Sequence, residues 1–159
     1  MSVIHDWEGA ITAPGLREAL LAYGLAQGQI EEGEELPDDE DELKYIAAEA
    51  IEAGDTEFSL EDAEGERGST DVRLFAGIYW WCDWGGINGP FSSLEEAADS
   101  ILSLAVDQDI PGFYSAASGN LSDEFIATRA TKLVDLNHAF VVNGTVYVRT
   151  KAGLVPKNA

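Results

Sequence analysis

Basic residues are scarce in this chain: nine Lys and Arg stand against 30 Asp and Glu over 159 residues, a formal charge of −21. Nucleic acid and anionic membrane are poor partners for such a surface, because both are polyanions. Cysteine occurs once, at Cys82, which excludes an internal disulfide. The opening MSVIHDWEGAI lacks a basic segment leading into a long apolar one, and a lone cysteine without a leader points to a reducing, cytoplasmic location. No run of about 18 apolar residues occurs, so no membrane-spanning helix is expected. Histidine occurs only at His5 and His138. With one cysteine these cannot close a zinc site without carboxylates, and the acidic run lacks the alternate acids, central Gly and late Glu of an EF-hand. No metal and no cofactor are expected. Residues 85–89 (GGING) are glycine-rich, but no Lys or Ser/Thr stands at P-loop spacing and no GxGxxG is present.

What is present is ordinary apolar content, 45% hydrophobic with 9% aromatic, enough for one globular domain spanning residues 1–159. The charge is unevenly placed. Residues 31–66 hold 17 acids and one base, Lys44, whereas from Arg129 onward there are five bases and one acid, Asp135. Concentrated like charge destabilises a folded state unless something offsets it, so the clustering calls for an explanation beyond solubility.

Residues 14–27 read as an amphipathic helix through Leu16, Leu20, Tyr23 and Leu25, with Pro14 in its first turn. Residues 31–42 (EEGEELPDDEDE) are nearly free of apolar side chains and read as an acidic loop entering a helix capped by Asp38 or Asp39, whose buried stripe is Leu43, Ile46, Ala47, Ala50 and Ile51. That helix stops at Gly54. Residues 55–71 are polar apart from Phe58 and Leu60 and read as a long mobile loop or irregular hairpin. Residues 92–96 (SSLEE) offer two overlapping capping boxes, Ser92 with Glu95 and Ser93 with Glu96, for a helix ending near Asp107. Residues 110–119 read as loop, with at most a short strand at 113–114. Ser122 caps a further helix, with Leu121 and Ile126 at staple positions and Ile126, Ala130, Leu133 and Val134 inward.

Two stretches read as β. Residues 72–84 alternate as one strand, with Val72, Leu74, Ala76, Ile78, Trp80, Cys82 and Trp84 on the core face and Arg73, Phe75, Tyr79, Trp81 and Asp83 on the other. That second face either lies under a helix or meets a partner. Glycines and Pro90 at 85–90 end the strand. Residues 138–149 (HAFVVNGTVYVR) form a hairpin on an Asn143-Gly144 type I′ turn. Its register pairs Val142 with Thr145, Val141 with Val146, Phe140 with Tyr147 and Ala139 with Val148. The uniformly apolar Ala139, Val141, Val146, Val148 face is expected inward. The sum is an α+β domain: a small antiparallel sheet, made of the Trp-rich strand and the C-terminal hairpin, packed by about four helices on one face.

No catalytic set emerges. Cys82 with His138 is the one Cys–His combination away from the N-terminus, and the two are expected on opposite faces of their strands. A buried Cys acts as a small hydrophobe. The chain is therefore expected to bind rather than catalyse. A small, strongly acidic α+β protein with a Trp-rich strand (75–84), the turn-to-helix GPFSSLEEA at 89–97 and no catalytic set resembles the immunity proteins of bacterial toxin–immunity systems. The resemblance is of type, over the whole chain, and transfers no site residue. It implies an inhibitor of a basic toxin domain, such as a nuclease, acting by occlusion. From the residues themselves, the candidate partner-binding set is Glu31, Glu32, Glu34, Glu35, Asp38, Asp39 and Asp41 for steering, with Tyr79, Trp81 and Asp83 for docking. Two other readings stay open at this level: a nucleic-acid mimic, and an acidic housekeeping domain whose charge serves solubility.

Overall fold

Trp80 and Trp81 are consecutive on a strand and so point to opposite faces of a sheet, yet they are 0% and 6% exposed. A sheet with a hydrophobic core on each side is the consequence. The computed structural model describes residues 3–62, 69–83, 86–107, 114–136 and 138–157. Its elements run α1 (Trp7–Ile11), α2 (Leu16–Ala26), α3 (Glu40–Glu52), β1 (Asp55–Asp62), β2 (Ser69–Phe75), β3 (Ile78–Asp83), β4 (Gly86–Phe91), α4 (Leu94–Asp107), β5 (Tyr114–Ala117), α5 (Asp123–Ala130), β6 (Ala139–Val142), β7 (Thr145–Thr150) and β8 (Gly153–Pro156). The fold is α+β. Its single sheet has eight strands in the order β4-β3-β2-β1-β5-β6-β7-β8, antiparallel except where β5 meets β6. Helices lie on both faces, so the expected small sheet covered on one side is corrected to a larger one covered twice.

The helices form where local chemistry directs them. The Asp39 side chain accepts from the Asp41 amide at 2.8 Å and caps α3, and Glu40, Asp41 and Glu42 occupy the positive end of its dipole. Leu43, Ile46, Ala47, Ala50 and Ile51 are all buried along one stripe. Its far end is held by Arg73, which donates to the carbonyls of Glu52 at 3.3 Å and Gly54 at 3.2 Å. For α4, Ser93 Oγ accepts from the Glu96 amide at 3.1 Å, and the Glu96 carboxylate accepts in turn from the Ser92 hydroxyl at 2.7 Å. Those Ser92 hydrogen bonds, hydroxyl first and amide second, hold the Glu96 carboxyl below its ordinary range. Ser122 Oγ caps α5 through the Phe125 amide at 3.1 Å.

Several strand assignments need correction. Residues 72–84 are not one strand: Ala76 (φ 60°) and Gly77 (φ 71°) form a tight turn that folds β2 back on β3. Pairing Phe75 with Ile78 reverses the parity, so Val72 shares a face with Trp81 rather than with Trp80. Residues 55–62 and 69–71 lie in an antiparallel hairpin of central strands, not a long loop, with Phe58 and Leu60 buried; positions 63–68 of the expected mobile loop lie outside the described residues. The glycine-rich stretch is not only a strand stop, because β4 pairs with β3 at the sheet edge; Trp84 and Gly85 lie outside the described residues. Tyr114–Ala117 is the fifth strand and sits mid-sheet, antiparallel to β1 and parallel to β6.

The β6–β7 register matches the Asn143-Gly144 expectation at all four pairs. The face does not. Phe140 and Val142 are fully buried and Tyr147 nearly so, whereas Val146 is 36% exposed. Both faces of this hairpin are apolar, and the wider aromatic one carries more area to bury. One core packs α4 and α5 against Phe58, Val72, Trp81, Phe140 and Tyr147. The other packs α1, α2 and α3 against Phe75, Ile78, Trp80 and Ile87, all on β2 to β4.

Candidate partner-binding surface

The acidic loop leaves α2 at a backbone turn and is pinned at both ends. Ile30 is buried and Leu36 half-buried against the core under α1, α2 and α3. Between and beyond those anchors Glu31, Glu32, Glu34, Glu35, Asp38, Asp39 and Asp41 are all exposed. Asp39 doubles as the α3 cap. Among the described residues the ion pairs are Lys44–Glu40 at 3.7 Å, Arg73–Asp71 at 3.2 Å, Arg129–Asp99 at 3.1 Å and His138–Asp135 at 3.7 Å. None involves an acid of 31–39. Six carboxylates on the segment anchored by Ile30 and Leu36, and Asp41 in the first turn of α3, are thus presented to solvent outside any ion pair among the described residues.

The aromatic members of the sequence-derived set are elsewhere. Trp81 is 6% exposed and lies in the core beneath α4, its indole N–H donating to Ser100 Oγ at 3.2 Å. Tyr79 is half-buried against the same core. Asp83 caps the β3–β4 connection by accepting from the Gly86 amide at 3.0 Å. The acidic loop belongs to the helical layer on the opposite side of the sheet, so the steering acids and the aromatic pair do not form one patch. Trp81 is corrected from docking anchor to core residue, because a side chain covered by α4 has no area left to offer a partner.

Sequence reasoning missed the surface that the hairpin leaves open. Val141, Val146 and Val148 face away from α4 and α5, and Val155 of β8, paired with Val148, continues the stripe at 37% exposure. The signal was the twofold apolar pattern of residues 139–148, which allows either face to be inward.

The chemistry of the remaining groups is modest. Burial pushes the Cys82 thiol up to about 12, against a smaller lowering by the Arg73 guanidinium. Cys82 on β3 and the residues of β6 next to His138 are four strand positions apart, roughly 19 Å at about 4.8 Å per strand, so the two do not meet. No group of three or more His, Cys, Asp or Glu is arranged to hold a metal ion among the described residues. An open groove of about 810 Å³ runs between α4, α5, β7 and β8, with Val106, Tyr147 and Leu154 in its wall and Arg129 and Lys132 at its rim. No helix among the described residues is long and apolar enough to cross a membrane. These features define a class, an acidic α+β protein with a doubly layered, partly open sheet. Beyond the class, no family model matches the chain, and no curated protein and no solved structure matches it either.

Proposed function

We propose that this chain is a binding protein that neutralises a basic protein partner, a toxin or nuclease-like domain, by electrostatically steered occlusion, in the manner of the immunity proteins it resembles. The supporting observation is the loop at 31–39: its carboxylates are exposed, make no ion pair among the described residues, and sit on a segment held by Ile30 and Leu36. A fixed, uncompensated negative surface raises encounter rates with a cationic partner and makes them fall with ionic strength. In this reading the protein works without catalysis or cofactor, in the cytoplasm, and inhibition comes from covering the partner's site. A nucleic-acid mimic would carry acids at phosphate-like spacing along a rigid element, whereas these lie on irregular chain between two helices.

The test is a pull-down from the native organism's lysate with the wild-type chain and a Glu31, Glu32, Glu34, Glu35→Gln variant as parallel baits, washed at low and moderate salt. A single basic protein, recovered stoichiometrically by the wild type and depleted by the variant, is expected. Many basic proteins that wash off together, or equal recovery by both baits, would overturn the proposal.

A further inference from the structure

The chain holds two Asn-Gly pairs, at 88–89 and at 143–144. In an unstructured chain such a pair is chemically labile, because glycine has no Cβ to shield its nitrogen from the asparagine side chain before it. The fold treats the two pairs differently. Asn88 and Gly89 lie inside β4, where Asn88 is opposite Trp81. A Cβ at Gly89 would stand 2.7 Å from the Trp80 ring, so the backbone there is packed against that ring. Asn143 and Gly144 are both exposed, at the β6–β7 turn. No heavy atom lies within 4 Å of where a Gly144 Cβ would stand. The Gly144 amide donates no hydrogen bond among the described residues. What restrains the second pair is the asparagine side chain. Asn143 Oδ1 accepts from the Ser118 amide at 2.7 Å, and Nδ2 donates to Asp123 Oδ1 at 2.8 Å. An N–H on one side and a carboxylate on the other allow only one orientation of the side-chain amide. The Asn143 backbone amide adds a bond to the Ala116 carbonyl at 3.0 Å.

We propose that Asn143 is a site of spontaneous deamidation, held off in the folded protein by its clamp to Ser118 and Asp123. The co-reactant is water. The Gly144 nitrogen attacks Asn143 Cγ and gives up its proton to solvent, the Cγ–Nδ2 bond breaks, and Nδ2 leaves as ammonia. Water then opens the resulting five-membered imide at either carbonyl, leaving an aspartyl or an isoaspartyl residue. The net change is one amide and one water to one carboxylate and one ammonia. Ring closure makes Cγ tetrahedral and expels Nδ2, so the bond to Asp123 is lost and the bond to Ser118 displaced before the product forms. Breaking both slows the native reaction by about tenfold or more. Conversion also removes the clamp for good. A carboxylate at 143 has no hydrogen to donate to Asp123, and two carboxylates at that separation repel. The isoaspartyl product in addition puts an extra methylene into the backbone of a two-residue turn. Chains that spend time unfolded therefore convert at this position and refold with the turn released from α5.

The test follows the one-dalton mass gain and the release of ammonia at each Asn-Gly pair, by digestion and fragment masses after incubation at mildly alkaline pH. Wild type is compared in its native state and in guanidinium, beside native Asp123→Ala and Asp123→Asn. Asn at 123 keeps an oxygen that accepts from Asn143 Nδ2, whereas Ala does not. In guanidinium both pairs should convert at similar rates. In the native wild type, Asn143 should convert about tenfold or more slowly than in guanidinium. Native Asp123→Ala should speed conversion at 143 about threefold or more without speeding it at 88, and Asp123→Asn should match the wild type. Separately, Asn143→Asp should lower the thermal midpoint by about 2–4 °C, the loss of the bond to Asp123 and the new repulsion acting together. A native rate at 143 equal to the unfolded rate would overturn the proposal. Equal acceleration at 88 and 143 in Asp123→Ala would do the same, because general loosening and not the clamp would then set the rate. So would an Asp123→Asn rate as fast as that of Asp123→Ala, or an unchanged midpoint for Asn143→Asp.

Discussion

Cys82 shows how a residue's chemistry is decided by where its strand places it. It pairs with Ile87 on one side and Asp71 on the other, and its sulfur packs among the apolar groups under α1, α2 and α3. Removing a proton there would leave a thiolate poorly solvated, so burial raises the pKa from its ordinary 9.0 to about 12. The thiolate is the nucleophile, and at pH 8 its population in the folded protein falls about a thousandfold below that of an ordinary cysteine. Alkylation by iodoacetamide at pH 8 should therefore be about a thousandfold slower in the native protein than in guanidinium. As pH rises past 9 the native rate should keep climbing toward 12 instead of levelling. A native rate within tenfold of the unfolded one would show the thiol to be accessible and of ordinary acidity. Trp80 and Trp81 make the same point in packing: adjacent in sequence, one serves the core under α1, α2 and α3 and the other the core under α4.

At the scale of elements, the hairpin turns control which faces are presented. The β6–β7 turn was readable because Asn-Gly is the favoured pair where both central residues need φ above zero. Asn143 also clamps its surroundings, accepting from the Ser118 amide at 2.7 Å and donating to Asp123 Oδ1 at 2.8 Å. The β2–β3 turn was not readable. Ala76 adopts φ 60° although alanine has no preference for that region, so Ala-Gly gives no turn signal and the strand appears continuous. Gly77 sits at φ 71° with no heavy atom within 4 Å of where a Cβ would stand. Gly77→Ala therefore tests conformation alone. It should cost about 1 kcal/mol and lower the midpoint of thermal unfolding by about 2–4 °C. Unchanged stability would mean that this turn is not left-handed in solution.

For the molecule as a whole, the dominant quantity is the charge of −21. Only four ion pairs occur among the described residues, and one of them depends on histidine protonation. Net repulsion therefore outweighs specific pairing. Screening acts over about 10 Å at 0.1 M salt, comparable to the spacing of neighbouring acids along 31–42. Raising NaCl from about 20 mM to about 500 mM should increase the thermal midpoint by several degrees, since screening relieves repulsion that the folded state suffers more than the unfolded chain. A fall in the midpoint would show that the surface pairs, not the repulsion, govern stability. The same salt should slow association with a basic partner, so stability and encounter rate are expected to move in opposite directions.

Features whose physics is local were legible in the residues alone. Asp39, Ser93 with Glu96, and Ser122 announce α3, α4 and α5 because a cap is satisfied within three residues of itself. The stripe from Leu43 to Ile51 follows from helical periodicity, and Asn143-Gly144 fixes four strand pairs through one turn. The exposure of the acidic run was equally legible, since seven carboxylates cannot be desolvated without partners. Tertiary structure decided the rest, because a strand has no hydrogen-bond partners of its own and acquires them from residues distant in sequence. Polar Asp55–Asp62 became a central strand by pairing with β2 and β5, and Tyr114–Ala117 by lying between β1 and β6. Which side of each strand is inside depends on which helices arrive to cover it. For residues 139–148 both sides were apolar, and only the arrival of α4 and α5 made Phe140 and Tyr147 core and left the valines on the surface.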